Sequence, residues 1–208
     1  MLSVHEMKCE YPLFTIIKFQ AIARGFLARN RVKNLHGYSC KVGINSKPTP
    51  SASQLSPQEL SIQRERIRKQ HSELPPFEYG IETGEDGDRL TGVKKIKKSL
   101  IRLPDGSEFD GEWYAGKRHG RGKQVWKDGT IYEGYWLCDQ TSGRGRMIDV
   151  DGSVFEGYWK NDMTNGKGRI EHLDGQVYDG HWQDNRYHGE GKETYPDGAI
   201  FEGTFKNG

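Results

Sequence analysis

The sequence predicts a mainly β chain. Its centrepiece is a single-layer, elongated antiparallel sheet of tandem β-hairpins, preceded by one long N-terminal α-helix and a second short helix. Three observations lead there. Only 33% of the 208 residues are hydrophobic, yet 11% are aromatic and Gly numbers 27. Disordered chains are poor in aromatics, so a polar, Gly-rich, ring-rich chain points to a thin structure of rings and tight turns. The second half repeats with a fixed period. The first 37 residues carry a basic, amphipathic helical pattern.

The period is read from aromatic–acidic–Gly triplets that start at Phe109, Tyr132, Phe155, Tyr178 and Phe201, with the same step between every start and the next (132−109, 155−132, 178−155, 201−178). Two places after each triplet glycine stands another ring: Trp113, Trp136, Trp159, Trp182 and Phe205. A Gly-x-Gly follows (Gly120/Gly122, Gly143/Gly145, Gly166/Gly168, Gly189/Gly191), and an Asp-Gly pair ends each complete unit, from Asp128-Gly129 to Asp197-Gly198. Constant spacing without insertions is the signature of a stacked repeat. Phe109, Gly111 and Trp113 are two apart, so they share one face of a strand, and Gly120 and Gly122 share a face of the next. A glycine opposite an indole leaves bare backbone for the ring to lie on. Asp-Gly turns the chain because Gly accepts a positive φ and Asp tolerates it. An earlier Asp105-Gly106, with the strand-like stretch 99–103 before it, reads as half of an incomplete leading unit. Ten strands about 4.8 Å apart would make a sheet roughly 45–50 Å long.

These residues resemble the MORN repeat over 109–208. The resemblance implies units 109–131, 132–154, 155–177, 178–200 and a partial 201–208 within a rod spanning 99–208. It also implies that the ten rings named above line a docking groove for other proteins. The mid-unit glycine of the pattern is kept as Gly116 and Gly208 and becomes Asp139, Asp162 and Asn185. Its histidine is kept as His119 and His188 and becomes Ser142 and Asn165. Asp and Asn still suit a turn, so the fold is expected to survive.

Residues 1–37 read as a helix that Gly37 stops. Phe19, Ile22 or Ala23, and Phe26 recur at helical spacing, flanked by Arg24, Arg29, Arg31 and Lys33, a pattern suited to an acidic partner with an apolar groove. The stretch 19–32 resembles the IQ motif, the calmodulin and light-chain binding helix of unconventional myosins, at every defined position. The resemblance implies that Phe19 enters the groove of the C-terminal lobe while Gln20 bonds to its backbone. Arg24 pairs with acidic groups there and Gly25 permits close approach. Ile22 and Phe26 continue the apolar stripe, and Arg29 and Val32 engage the N-terminal lobe. Such motifs often hold calmodulin without Ca²⁺. The alternatives are a helix packed on the rod and a membrane-surface helix; lipid needs neither Gln20 nor Gly25.

Residues 38–55 form a Ser/Pro/Lys-rich linker. A short helix over 56–74 opens with Ser56 as N-cap, Pro57 in the first turn and Glu59 completing a capping box, with Leu55 and Leu60 placed as a staple. Residues 75–98 read as a second linker. Residues 1–50 carry eight Lys/Arg against Glu6 and Glu10, about +6 by formal count, whereas 101–208 carry fourteen Lys/Arg against nineteen Asp/Glu. This mixed-charge half argues against a nucleic-acid rod. Cys9, Cys40 and Cys138 show no metal or redox spacing and are expected as free thiols in a reducing compartment. No apolar run nears the ~20 residues of a membrane span, and the first residues lack a signal-peptide core, so the expectation is an intracellular protein. No histidine pair has a zinc spacing, and His119 and His188 hold equivalent repeat positions, so no metal, cofactor or reaction centre is expected. The Gly-x-Gly runs lack the following helix of a phosphate loop. The Lys-rich stretch 94–98 could touch anionic lipid.

Taken with the resemblances, the expectation is a non-enzymatic adaptor. It would hold calmodulin or a calmodulin-like EF-hand protein, dock on other proteins through its rod, and sit in the cytoplasm at the cytoskeleton, in a cilium or flagellum axoneme. The rival expectation is a peripheral tether to anionic phospholipid.

Overall fold

The computed structural model describes residues 55–80 and 94–208. The helix expected over 1–37, with its eight candidate calmodulin contacts, lies outside the described residues, as does the linker up to residue 54.

Ser56 caps helix α1 (Pro57–Glu73) as expected, its hydroxyl accepting from the Glu59 N–H while the Glu59 carboxylate accepts from the Ser56 N–H at 2.8 Å. The ten strands are β1 (Ile96–Arg102), β2 (Glu108–Tyr114), β3 (Lys117–Val125), β4 (Ile131–Leu137), β5 (Gln140–Ile148), β6 (Val154–Lys160), β7 (Met163–Glu171), β8 (Val177–Gln183), β9 (Arg186–Thr194) and β10 (Ile200–Phe205). They form one sheet in chain order, every neighbour antiparallel. The incomplete leading unit supplies β1, which starts at Ile96, ahead of the expected 99.

Two kinds of turn alternate. Between β2 and β3 the turn is two residues, Ala115 and Gly116, both at positive φ, and the later units use Cys138-Asp139, Asn161-Asp162 and Asp184-Asn185 in the same way. Paired positive φ values twist with the strands, which favours this turn in hairpins. The Asp-Gly turns differ from the sequence expectation in one respect. Only the glycine takes a positive φ, for example +98° at Gly129. The aspartate contributes its carboxylate instead, Asp128 Oδ1 accepting from the Thr130 N–H at 3.0 Å.

Where Asp and Asn replace glycine, they join one hairpin to the previous one. The Asp162 N–H donates to the Thr141 carbonyl at 3.2 Å while its Oδ1 accepts from the Thr141 N–H at 2.7 Å. Asp139 does the same to Arg118, and Asn185 to Thr164. A glycine keeps only the backbone half of this staple, as Gly208 does to Tyr187.

Each hairpin also carries a bulge. Gly111 pairs with Gly122 and Trp113 with Arg118, so β3 inserts extra residues around Gly120, whose φ of +93° the bulge requires. The second glycine of each pair has another task. A β-carbon on Gly168 would sit 2.6 Å from Cζ of Phe155, and one on Gly157 2.7 Å from the same atom. The bare floor therefore lies under the triplet ring. The indole stands edge-on and donates to a glycine carbonyl, Trp182 Nε1 to Gly168 at 2.9 Å, which corrects the expectation that the indole lies flat there.

Cys138 is disulfide-bonded, which corrects the free-thiol expectation. That expectation came from sequence spacing, which does not limit pairing in space.

Candidate interaction surface

All ten rings named from the sequence come together on one face. They touch edge to face in a zigzag: Trp113, Phe109, Trp136, Tyr132, Trp159, Phe155, Trp182, Tyr178, Phe205, Phe201. Centroid separations run from 5.0 to 5.4 Å and interplanar angles from 84° to 89°. This is the preferred geometry of aromatic pairs. From Phe109 to Trp182 the rings are at most 9% exposed, whereas Phe201 is 47% exposed. The face is a core built from its own side chains. Burial pushes the Tyr132 phenol far up, and its hydroxyl donates to the Tyr135 carbonyl at 3.0 Å.

Among the described residues the opposite face is the one that meets other elements. Its central row alternates in sign across the sheet. Asp110 pairs with Lys123, Lys123 with Glu133, Glu133 with Arg146, Arg146 with Glu156, Glu156 with Arg169, Arg169 with Asp179, Asp179 with Lys192, and Lys192 with Glu202. Directly opposed unlike charges favour this register. Beside it runs a mostly apolar row of Val125, Ile131, Ile148 and Val154, followed by Glu171, Val177, Thr194 and Ile200.

Helix α1 covers the first half of that row. Ile67 is fully buried against Ile131 and Ile148, with Leu74 beside them. The polar contacts of α1 go to turn carbonyls. Gln63 Nε2 donates to Asp128 O at 2.7 Å and Arg64 Nε to Lys127 O at 2.5 Å, both in the first Asp-Gly turn after β3. Arg66 donates to Val150 O at 2.6 Å and Gln70 to Gly152 O at 2.7 Å, in the next such turn. His71 reaches Glu133 at 3.2 Å, and that hydrogen bond holds the Glu133 carboxyl below its ordinary value.

Residues 75–80, read from the sequence as linker, run back over the same face. Arg146 donates to Pro75 O at 2.8 Å, Phe77 lies under the Arg144 and Arg146 guanidiniums, and Tyr79 meets Tyr135 edge to face. Burial, with Glu133 adding, raises the Tyr79 phenol.

Four consecutive units, a ring spine and paired glycines in step decide the repeat type, and a family model described as "MORN repeat" matches residues 109–131, 132–154, 155–177 and 178–200. Residues 109–200 are four tandem MORN repeats. This is a non-enzymatic type of repeat, and it suggests a protein-interaction or membrane-associated role. A search of curated proteins gives no match. Among solved structures the chain is similar to the TCP domain of SAS-4 (dCPAP) of Drosophila melanogaster, in complex with a proline-rich motif of Ana2 (dSTIL), at 17% identity and a TM-score of 0.24, over 53% of this chain and 71% of that one.

Among the described residues no group of His, Cys, Asp or Glu is arranged to hold a metal. None of the described helices is long and apolar enough to cross a membrane. Sequence reasoning missed the helix-side surface. Its signal was present in the heptad Leu60, Ile67, Leu74 and in Gln63 and Gln70.

Proposed function

We propose that the protein is a non-enzymatic scaffold. Residues 1–37 recruit calmodulin or a calmodulin-like EF-hand protein through Phe19, Gln20, Ile22, Arg24, Gly25, Phe26, Arg29 and Val32, and the MORN rod docks in a larger cytoskeletal assembly, in an axoneme. The observation that carries the docking half is the rod's own behaviour: its helix-side face already holds a helix through turn carbonyls, an apolar row and charges of both signs. Such a face suits protein. A uniform anionic membrane would meet Asp110, Glu133, Glu156 and Asp179 as readily as the cations between them. The recruitment half is supported by the match of residues 19–32 to the IQ motif.

Pull-down with calmodulin, with and without Ca²⁺, tests recruitment. Phe19→Glu is expected to abolish capture without changing the unfolding midpoint of the rod. Capture that survives deletion of residues 1–37 refutes it. Sedimentation with anionic liposomes at two salt concentrations separates the tether reading, whose supporting feature is Lys97 and Lys98 exposed on β1. The oxidation state of Cys138 in the cell reports on the compartment, because disulfides persist in oxidising surroundings. Alkylation mass spectrometry of the protein from its native source decides: a free thiol supports the cytoplasmic placement and a disulfide refutes it.

A further inference from the structure

The seat of α1 is built from parts that the repeat supplies four times. Gln63 and Gln70 stand one heptad apart and donate to turns one repeat apart. Seven helical residues rise about 10.5 Å. One repeat is two strands, about 9.6 Å. A helix laid along the row of Asp-Gly turns therefore presents one heptad to each unit. The apolar heptad Leu60, Ile67, Leu74 follows the same beat.

Helix α1 uses only the turns at 127–129 and 150–152. There the helix crowds the glycines: a β-carbon on Gly129 would lie 3.1 Å from Cα of Arg64, and one on Gly152 3.6 Å from Oε1 of Gln70. The equivalent Gly175 and Gly198 have no described atom within 4 Å. Where α1 stops at Leu74 and Pro75, a cleft of about 610 Å³ opens toward His172, Leu173 and Gly175. Beyond it, among the described residues, Leu173 of the next turn is 66% exposed, and in the row Ile200 is 58% exposed and Val177 half-buried.

We infer that the turns at 173–175 and 196–198, with Val177 and Ile200, form a second helix seat that takes an amphipathic helix of a partner protein along the line of α1. The occupant's chemistry follows from position. It carries Gln or Arg one heptad apart, to donate to turn carbonyls as Gln63 and Gln70 do. It carries an apolar residue for Val177 and Ile200. Glu171 stands where the first seat has Val125, and Thr194 stands where it has Ile148. The occupant therefore carries Lys or Arg near the position of Ile67, to meet Glu171, which is exposed and already accepts from Arg169 at 3.0 Å. The inference names the partner class for the docking proposed above and rests on that reading of the rod.

The test uses the full chain and a fluorescein-labelled synthetic peptide of residues 55–74 bearing Ile67→Lys. Anisotropy is expected to show saturable binding tighter than about 1 mM. Hydrogen exchange should show new protection across residues 173–200. Val177→Asp combined with Ile200→Asp should weaken binding at least 10-fold. Leu173→Ser, at an exposed turn position, should weaken it about 3-fold without touching the fold. Lack of binding, binding indifferent to these variants, or protection appearing at β3–β6 overturns the inference. So does affinity that rises on deleting residues 1–37, which would make the chain's own N-terminal segment the occupant. Concentration-dependent dimerisation that blocks the peptide would make the occupant a second copy, and overturns it too. Calmodulin capture is measured on the same sample. A chain that holds calmodulin but ignores the peptide loses this inference and keeps the recruitment reading; the converse result does the reverse.

Discussion

Gly168→Ala isolates the claim that the ring spine lies on bare backbone. Gly168 is not at a positive φ, so alanine fits its backbone without strain, and loss of unfolded-state entropy alone would make the variant more stable by about 0.4–1 kcal/mol. The space decides otherwise. The added carbon would stand 2.6 Å from Cζ and 2.7 Å from Cε2 of Phe155, and 3.3 Å from Cδ1 of Trp182. Neither ring can swing away, because Phe155 is 2% exposed and held edge-on by Trp159 and Trp182. Overpacking of this kind costs about 1–3 kcal/mol. The net expectation is a loss of about 1–2 kcal/mol, a midpoint lower by roughly 2–8 °C. Thermal and urea unfolding followed by Trp fluorescence measure it. Phe155→Leu shortens the ring above Gly168, so the double variant should lose less than the two single losses added, by at least about 0.5 kcal/mol. A Gly168→Ala protein as stable as the parent, or strictly additive losses, would refute the reasoning.

Other perturbations follow from the same contacts. Asp162→Asn keeps the Oδ1 acceptor for Thr141, as Asn185 already does for Thr164, and removes a carboxylate whose burial raises its pKa above 3.8. A raised carboxyl favours the folded state at low pH and opposes it once ionised. The variant should therefore be at least as stable as the parent at pH 7, with its advantage vanishing as the pH falls below the ordinary value, and urea unfolding across pH checks this. Glu133 behaves in the opposite way. Its lowered pKa contributes stability that is present above 4.5 and lost as the pH falls through the depressed value, so protection factors at β4 and β5, taken relative to the intrinsic exchange rate at each pH, should fall on acidification, and Glu133→Gln should remove that dependence. Ile67→Asp places a charge in a fully buried site and should release α1 at a cost of about 3 kcal/mol or more, read as lost protection at Ile131 and Ile148 with the ring spine intact. Retained protection there would show that α1 is not held by this contact.

The repeat was legible because its determinants are side chains that cannot be exchanged: a ring, a glycine beneath it and an Asp-Gly stop, each returning once per unit. The capping box of α1 was legible for the same reason. What α1 does was not. Its contacts go to backbone carbonyls at 127, 128, 150 and 152, and a carbonyl leaves no trace in residue identity. Its apolar face is one residue wide, with Ile62 71% exposed and only Ile67 buried, too thin for a strong amphipathic pattern. Asp139, Asp162 and Asn185 read as tolerated departures, because their second bond reaches back to the start of the preceding hairpin's return strand and no local rule anticipates it. The charge ladder was visible in principle, since Lys123, Arg146, Arg169 and Lys192 recur in step with the repeat, but its meaning needed the register.

The match between heptad and repeat is close without being perfect. Each unit leaves the helix about 0.9 Å ahead of the turns. Over one step a glutamine side chain absorbs that. Over three steps the lag grows to about 2.7 Å, far beyond the window of a hydrogen bond. A straight helix therefore works like one scale of a vernier against this rod, in phase for a short run and then out of it. The prolines that end α1 at the second turn it grips reset the phase, and a rod with such a turn in every unit is served by separate short helices better than by one long one.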